Sequence, residues 1–275
     1  MHKQSGKDRF KQYLCKIGSG QETGRSLTRK ESADALKLLL NKVPTPAQTG
    51  AFLIAHRIKR PTAKELTGML DTYKELGPTL QSGKEQKQPI FFGMPFDGRT
   101  RTSPIYPLTT LILISAGQPV ILQGGSRMPV KYGITTLELF QTLGLDLQDV
   151  KLNHVQSGFL KNNFAFIYQP NHFPLAENLI SFRDEIGKRP TIASLELIWC
   201  AHKGQHIHIS GYVHTETEQR HWEALNLYNE DNIITIKGLE GSIDLPINVE
   251  CIASHYKNKK LERISLDPKN YKLAS

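Results

Sequence analysis

The chain has 275 residues, 39% of them hydrophobic and 22% charged, and a formal net charge of +9. That length suits one large or two unequal domains, and that composition excludes wholesale disorder. No apolar run approaches the ~18 residues of a bilayer span, and the basic excess favours anionic partners such as nucleic acid or phosphorylated small molecules over a membrane.

Helical spacing comes first along the chain. Phe10, Tyr13, Leu14 and Ile17 follow one another at i, i+3, i+4 and i+7. Three helix starts come next: Thr28 to Glu31, Thr45 to Gln48 and Thr62 to Glu65. In each, the Thr hydroxyl can cap a backbone N–H while the acid or amide three residues on returns the bond. Pro46 occupies the first helical position of the second, where its missing N–H costs nothing. Behind the caps run Leu36, Leu39 and Leu40, then Ala51, Ile54, Ala55 and Ile58, then Leu66, Met69, Leu70 and Tyr73. Residues 1–77 are therefore predicted to form a helical domain.

Residues 78–88 are rich in Pro, Gln, Ser and Lys without periodicity and read as a linker. From 89 to 275 short apolar runs at 89–92, 120–122, 164–167 and 233–236 alternate with helical stretches near 107–116, 135–143, 174–186 and 217–228. That alternation predicts an α/β domain built on a mainly parallel sheet.

In such sheets ligands bind beyond the carboxyl ends of strands. The loop after the first strand carries Asp97, Gly98, Arg99 and Arg101 and leads toward a helix marked by Pro107. The loop after the second reads Gly124-Gly125-Ser126-Arg127, trailed by Lys131 and Gly133. Glycines let backbone N–H groups approach a phosphate, Arg127 can bind its oxygens in a fork, and Lys131 adds a point charge. A plain tight turn with solvated arginines is the alternative for both loops.

His202, His206, His208 and His214 crowd one segment, but no Cys or Glu stands at zinc-ligand spacing, so an ordinary polar strand face is expected there. Cys15, Cys200 and Cys251 are odd in number and scattered, and the N-terminus is polar and basic rather than a leader, so a reducing cytoplasm is expected. No Walker loop, Rossmann fingerprint or Gly-x-Ser-x-Gly elbow is present.

Several stretches resemble the anthranilate phosphoribosyltransferases: Leu27 to Glu31, Gln48 to Lys59 and Glu65 to Gly68, then Lys131, Gly133, Leu143-Gly144, Pro170 to Pro174 and Arg183 to Gly187 in the family's order. The resemblance implies that family's fold and a homodimer through the helical domain. It also implies binding of phosphoribosyl pyrophosphate (PRPP), with Mg2+ if the chain is catalytically active. It assigns Arg183 and His172 to the acceptor. The family's Gly-Thr-Gly-Gly-Asp loop stands here as Gly93 to Thr100, its His-Gly-Asn-Arg as Gln123 to Arg127, and its magnesium-positioning Asp-Glu pair only as Glu240 and Asp244, which do not adjoin. Against the family, the chain ends near Leu273, short of further helices expected to cover the sheet.

The rewritten loops are more similar to those of nucleic-acid-binding paralogues of the family. In the first 30 residues Lys3, Lys11, Lys16 and Arg25 belong to a basic run with few acids, and Arg57, Lys59 and Arg60 add to the same domain. Such a surface can track the phosphates of single-stranded nucleic acid. Two functions of different class follow: a nucleic-acid or polyphosphate-binding protein with a basic cleft, or an active phosphoribosyltransferase acting on anthranilate or a related aromatic acceptor. The sequence names no catalytic residue for the second.

Overall fold

The computed structural model describes residues 5–20 and 22–273, so Lys3 lies outside the described residues. Four helices open the chain: α1 Gly6–Gly18, α2 Arg29–Leu40, α3 Pro46–Lys59 and α4 Ala63–Leu76. All three expected capping boxes form, with the Thr28, Thr45 and Thr62 hydroxyls accepting from the N–H three residues on. The boxes set where each helix begins, and the apolar stripes of α1, α2 and α4 put Phe10, Leu36, Leu40 and Leu66 into the domain's core. Helix α3 departs from expectation: it buries Thr49, Phe52, Leu53 and His56, while Ala51 and Ile58 are exposed and Ile54 and Ala55 are only half-buried.

The α/β domain follows as β1 Ile90–Gly93, α5 Tyr106–Ser115, β2 Val120–Gly124, α6 Thr136–Thr142, α7 Leu152–Asn162 and β3 Phe164–Tyr168. Short helices α8 Gln169–His172, α9 Pro174–Glu177, α10 Ile180–Glu185 and α11 Leu195–Ile198 lead into β4 Ile207–Gly211, α12 Thr215–Leu227, β5 Asn232–Ile236, β6 Cys251–Lys257 and β7 Lys260–Leu266. The sheet order is β3-β2-β1-β4-β5-β6-β7. Its first five strands are parallel, and β6 and β7 add an antiparallel hairpin that the apolar pattern did not announce. β7 is almost wholly exposed, so it carries no buried face to read from the sequence. The stretch expected as one helix at 174–186 is two short helices instead, broken at Asn178 and Leu179.

The order reverses direction between β1 and β4, since the chain builds outward through β2 and β3 and then returns to the other side of β1. That switch point opens a crevice beyond the carboxyl ends of the central strands. The helical domain is packed against the same sheet. Tyr73 of α4 meets Phe173 and Trp199 edge-on at 4.9 and 5.1 Å, and one continuous core includes buried residues of both domains.

Within the helical domain Glu65 is fully buried, accepting from the Leu27 N–H at 2.9 Å and the Thr62 N–H at 2.8 Å. Burial alone would raise its pKa, but His56, 3.4 Å away, and the Thr62 and Leu27 amides outweigh that and hold the carboxyl down at about 2. A depressed folded-state pKa stabilises fully above the ordinary value of 4.5, and the contribution is lost as pH falls through about 2. Denaturant unfolding at neutral pH and near pH 3 is expected to show the parent losing stability with acid. Glu65→Gln should be less stable at neutral pH and should lack that part of the acid response.

Candidate functional site

β1 ends at Gly93, and the loop behind it folds back against residues 131–135. Gly133 N–H donates to the Asp97 carbonyl at 2.9 Å, while Arg99 and Ile134 exchange backbone bonds of 3.2 and 3.0 Å. The approach demands glycine on both sides. Gly98 has φ +77°, and a Cβ there would lie 2.4 Å from the Ile134 carbonyl oxygen; a Cβ on Gly133 would lie 2.6 Å from Arg99 N.

This pinning turns Arg99 inward. Its Nη1 donates to Asp244 at 2.7 Å and to the Ser242 hydroxyl at 2.6 Å, and its Nε lies 3.3 Å from Glu240. Arg99 is therefore buried and paired with carboxylates, not an open loop cation, whereas Arg101 keeps an exposed side chain. Glu240 is the centre of the cluster. Its carboxylate accepts from the N–H groups of Thr100, Arg101 and Thr102 at 3.3, 3.0 and 3.3 Å, and from the hydroxyls of Thr100 and Thr102 at 3.3 and 3.2 Å. Lys131 Nζ approaches to 3.5 Å. Burial would raise the Glu240 pKa, but the Arg101 and Thr100 amides, Lys131 and Thr102 hold it at about 2. Its backbone sits at φ +54°, a left-handed conformation that costs a residue with a Cβ about 1–2 kcal/mol.

Asp97 and Arg183 meet in a second closed cluster. Arg183 is 2% exposed; its Nη1 donates to Glu196 at 2.7 Å and its Nη2 lies 3.2 Å from Asp97, which also binds Arg189. Glu196 further accepts the Phe96 N–H at 2.7 Å. The arginine expected to hold an acceptor carboxylate thus already holds two carboxylates of the chain itself. His172 is likewise engaged, its Nδ1 accepting from the Tyr168 N–H at 2.9 Å and its Nε2 standing 2.7 Å from the Val150 carbonyl.

In the second loop, Gly124 closes β2 and Gly125 follows, but neither takes positive φ. They are small because Phe166 would stand 3.2 Å from a Cβ on the first and Met128 2.4 Å from a Cβ on the second. Ser126 is half-buried beside Tyr168. Arg127 is exposed and pairs at 2.7 Å with Glu138, the acid of a fourth capping box at Thr135 that sequence reading missed.

Among the helical-domain bases, Lys16 pairs with Glu31 at 2.6 Å and Lys59 with Glu65 at 3.3 Å, while Lys11 and Arg25 are exposed and do not line the interdomain cleft. Arg57 and Arg60 instead line an open cleft of ≈ 730 Å³ between the domains, together with Lys188, Arg189, His214 and Arg220. Lys188, Arg189 and Arg220 were not singled out from sequence; the signal available was the Gly187-Lys188-Arg189-Pro190 run. Arg60 pairs with Glu216 at 3.0 Å, but Arg57, Lys188 and Arg220 have no ion pair among the described residues. Burial, and to a lesser extent the neighbouring Arg60, lower the pKa of Arg220 against an opposing pull from Glu216.

The histidine segment is mostly core. His206 and His208 are buried against each other and Phe91, and burial pushes the His206 pKa down to about 4. Among the described residues no group of three or more His, Cys, Asp or Glu is placed to hold a metal ion, Glu240 and Asp244 included.

Residues 11–77 match the glycosyl transferase family, helical bundle domain. An uncharacterized protein of Aquifex aeolicus (strain VF5) is 26% identical over 90% of this chain and 72% of its own length. The anthranilate phosphoribosyltransferase of Rhodopseudomonas palustris (strain HaA2) is 23% identical over 95% of this chain and 74% of its own length. The structure of the anthranilate phosphoribosyltransferase from Saccharomyces cerevisiae in complex with PRPP and Mg superposes with a TM-score of 0.74 at 17% identity, covering 94% of this chain and 72% of that one. Over most of its length the chain is similar in sequence to anthranilate phosphoribosyltransferases, and it shares with the solved one the fold of a helical domain joined to a mixed, mostly parallel sheet.

The two arginines of the switch point should respond differently to truncation. Arg183→Ala leaves buried Asp97 and Glu196 short of a counter-charge and is expected to cost about 3–5 kcal/mol. Arg127→Ala removes an exposed pair and is expected to cost no more than about 1 kcal/mol. Urea unfolding midpoints of the two variants measure the contrast.

Proposed function

We propose that this relative of the anthranilate phosphoribosyltransferases binds single-stranded nucleic acid in the cleft between its domains and does not transfer phosphoribose to anthranilate. One observation carries the reading. Arg57, Lys188 and Arg220 stand around the open cleft without a carboxylate partner, while Arg99, Lys131, Arg127 and Arg183, the cations placed by the family's loops, each face an internal carboxylate. Free charge therefore lies along a groove rather than at a point. A groove of like charge suits a ligand whose phosphates repeat, and it binds through counterion release without reading sequence.

The family's reaction needs a site for PRPP and Mg2+. Glu240 and Asp244 do not fit the metal, because Glu240 is enclosed by loop N–H groups and hydroxyls and Asp244 by Arg99 and the Ile105 N–H. Arg183 does not fit an acceptor carboxylate, because Glu196 and Asp97 occupy it.

The same reading includes the homodimer through the helical domain, where Ile58 is an exposed apolar side chain such a contact would cover. It also includes a reducing cytoplasm, which suits three cysteines that are all free. No described helix is long and apolar enough to cross a membrane.

Fluorescence titration of an oligothymidylate of 20 or so nucleotides is expected to give affinity that falls steeply with salt. Replacing Arg57, Lys188 and Arg220 together by Ala should weaken binding and flatten the logarithmic salt slope by about 0.7 per lost phosphate contact. Binding indifferent to salt, or to these three changes, would refute the cleft. Incubation with anthranilate, PRPP and Mg2+ is expected to yield no product above background.

A further inference from the structure

At the opposite end of the sheet from the crevice lies a cavity of ≈ 430 Å³, lined by the end of α4, the linker at 78–79, the loop at 198–206 and the turn at 228–230. His206 directly precedes β4 and Glu230 stands just ahead of β5, so the cavity sits at the amino ends of these two parallel strands. Its single carboxylate is unlike the others inside this chain. Glu65, Glu196 and Glu240 are each met by donors, whereas Glu230, largely buried, accepts no hydrogen bond from any described residue, and its ion-pair neighbour His206 stands 3.6 Å away. Burial and the adjacent Asp231 push the Glu230 pKa up to about 7 against the pull of Lys74. His206 adds a second bare acceptor. Both neighbours of its Nδ1, the Gly204 carbonyl at 3.4 Å and the Glu230 carboxylate, are acceptors, so Nδ1 carries the proton and Nε2 keeps a lone pair that no described group meets.

Two buried acceptors without donors cost free energy unless something in the cavity donates to them. A metal ion does not suit them, since no three ligating side chains converge there among the described residues. A cation is opposed by Lys74 and Lys203 in the same walls, and an anion by Glu230. What remains is a neutral group rich in N–H donors, and the rings of Tyr228 and Trp199 in the walls favour a flat one. We propose that the cavity is a second small-molecule site, taking a neutral planar heterocycle that offers two adjacent N–H donors, as guanine and isocytosine do, with Glu230 receiving the pair. A carboxylate accepts such a pair side by side, one donor to each oxygen. The site is independent of the nucleic-acid cleft, since no residue of the cleft lines it.

The test is calorimetric titration of isocytosine into the full chain, with its isomer cytosine as the control. Cytosine has the same atoms but sets a ring acceptor, not a ring N–H, beside its amino group. At pH 8 isocytosine is expected to bind about tenfold or more tightly than cytosine, as one hydrogen bond to a charged group would give. Binding needs the ionised carboxylate, so a Glu230 pKa of about 7 makes the affinity fall by about tenfold from pH 8 to pH 6. Asp231 and Lys74 are the charges beside Glu230; of its other neighbours, burial moves Tyr228 and Cys200 upward and His206 downward, out of that window. Glu230→Gln keeps the size of the side chain but places an N–H where the ligand needs an acceptor, so it should lose about tenfold in affinity and the pH dependence with it. Arg220→Ala, in the cleft, should change neither. The proposal is overturned if isocytosine does not bind at millimolar concentration, if it binds no better than cytosine, or if Glu230→Gln binds it as the parent does.

Discussion

A buried charge has to be met by an opposite one, and at the carboxyl ends of β1 and β2 this chain meets its arginines with its own acids. Arg99 lies between Glu240 and Asp244, and Arg183 between Glu196 and Asp97. These pairings set the loop conformations. The backbone of 97–102 follows from them, since Asp97 is drawn under the loop by two arginines while the amides beyond it turn toward Glu240. The crevice that the strand order creates is thereby filled from within, and the field that reaches solvent comes from bases further out.

The consequence for recognition is a change in where the positive potential lies. Arg57 and Arg60 at the end of α3 and Arg220 on α12 line the same open cleft, where Glu216 pairs with Arg60. The Arg220 pKa is lowered mainly by burial, with Arg60 adding to the shift and Glu216 opposing it. Glu196 and Glu240 neutralise the internal arginines, so little of their charge is left to draw an anion inward.

Much of the scaffold was legible because it rests on local rules. Thr28, Thr45 and Thr62 with their partners three residues on define helices through neighbouring backbone groups alone, and the alternation after residue 89 follows from burial on both faces of a parallel sheet. The β6–β7 hairpin was not legible, since β7 buries almost nothing and its pairing is decided by β6. The site was legible only in outline. Asp97, Arg99, Lys131, Arg183 and Glu240 could be named as charged residues in the right loops, but which acid answers which base depends on side chains 86 to 145 positions apart meeting at the switch point. Arg220 was missed because an arginine on an amphipathic helix looks like any solvated one until the opposite wall is known.

The interdomain core has a bearing on what the cleft admits. Tyr73, Phe173 and Trp199 interlock three elements by their ring edges, so α4 is fastened to the α/β domain rather than hinged to it. Walls joined in this way behave as a gauge with a set opening. If the cleft takes nucleic acid as proposed, such a fixed opening would favour a slender, flexible strand over a stiff duplex, with the arginines supplying the grip and not the calibre.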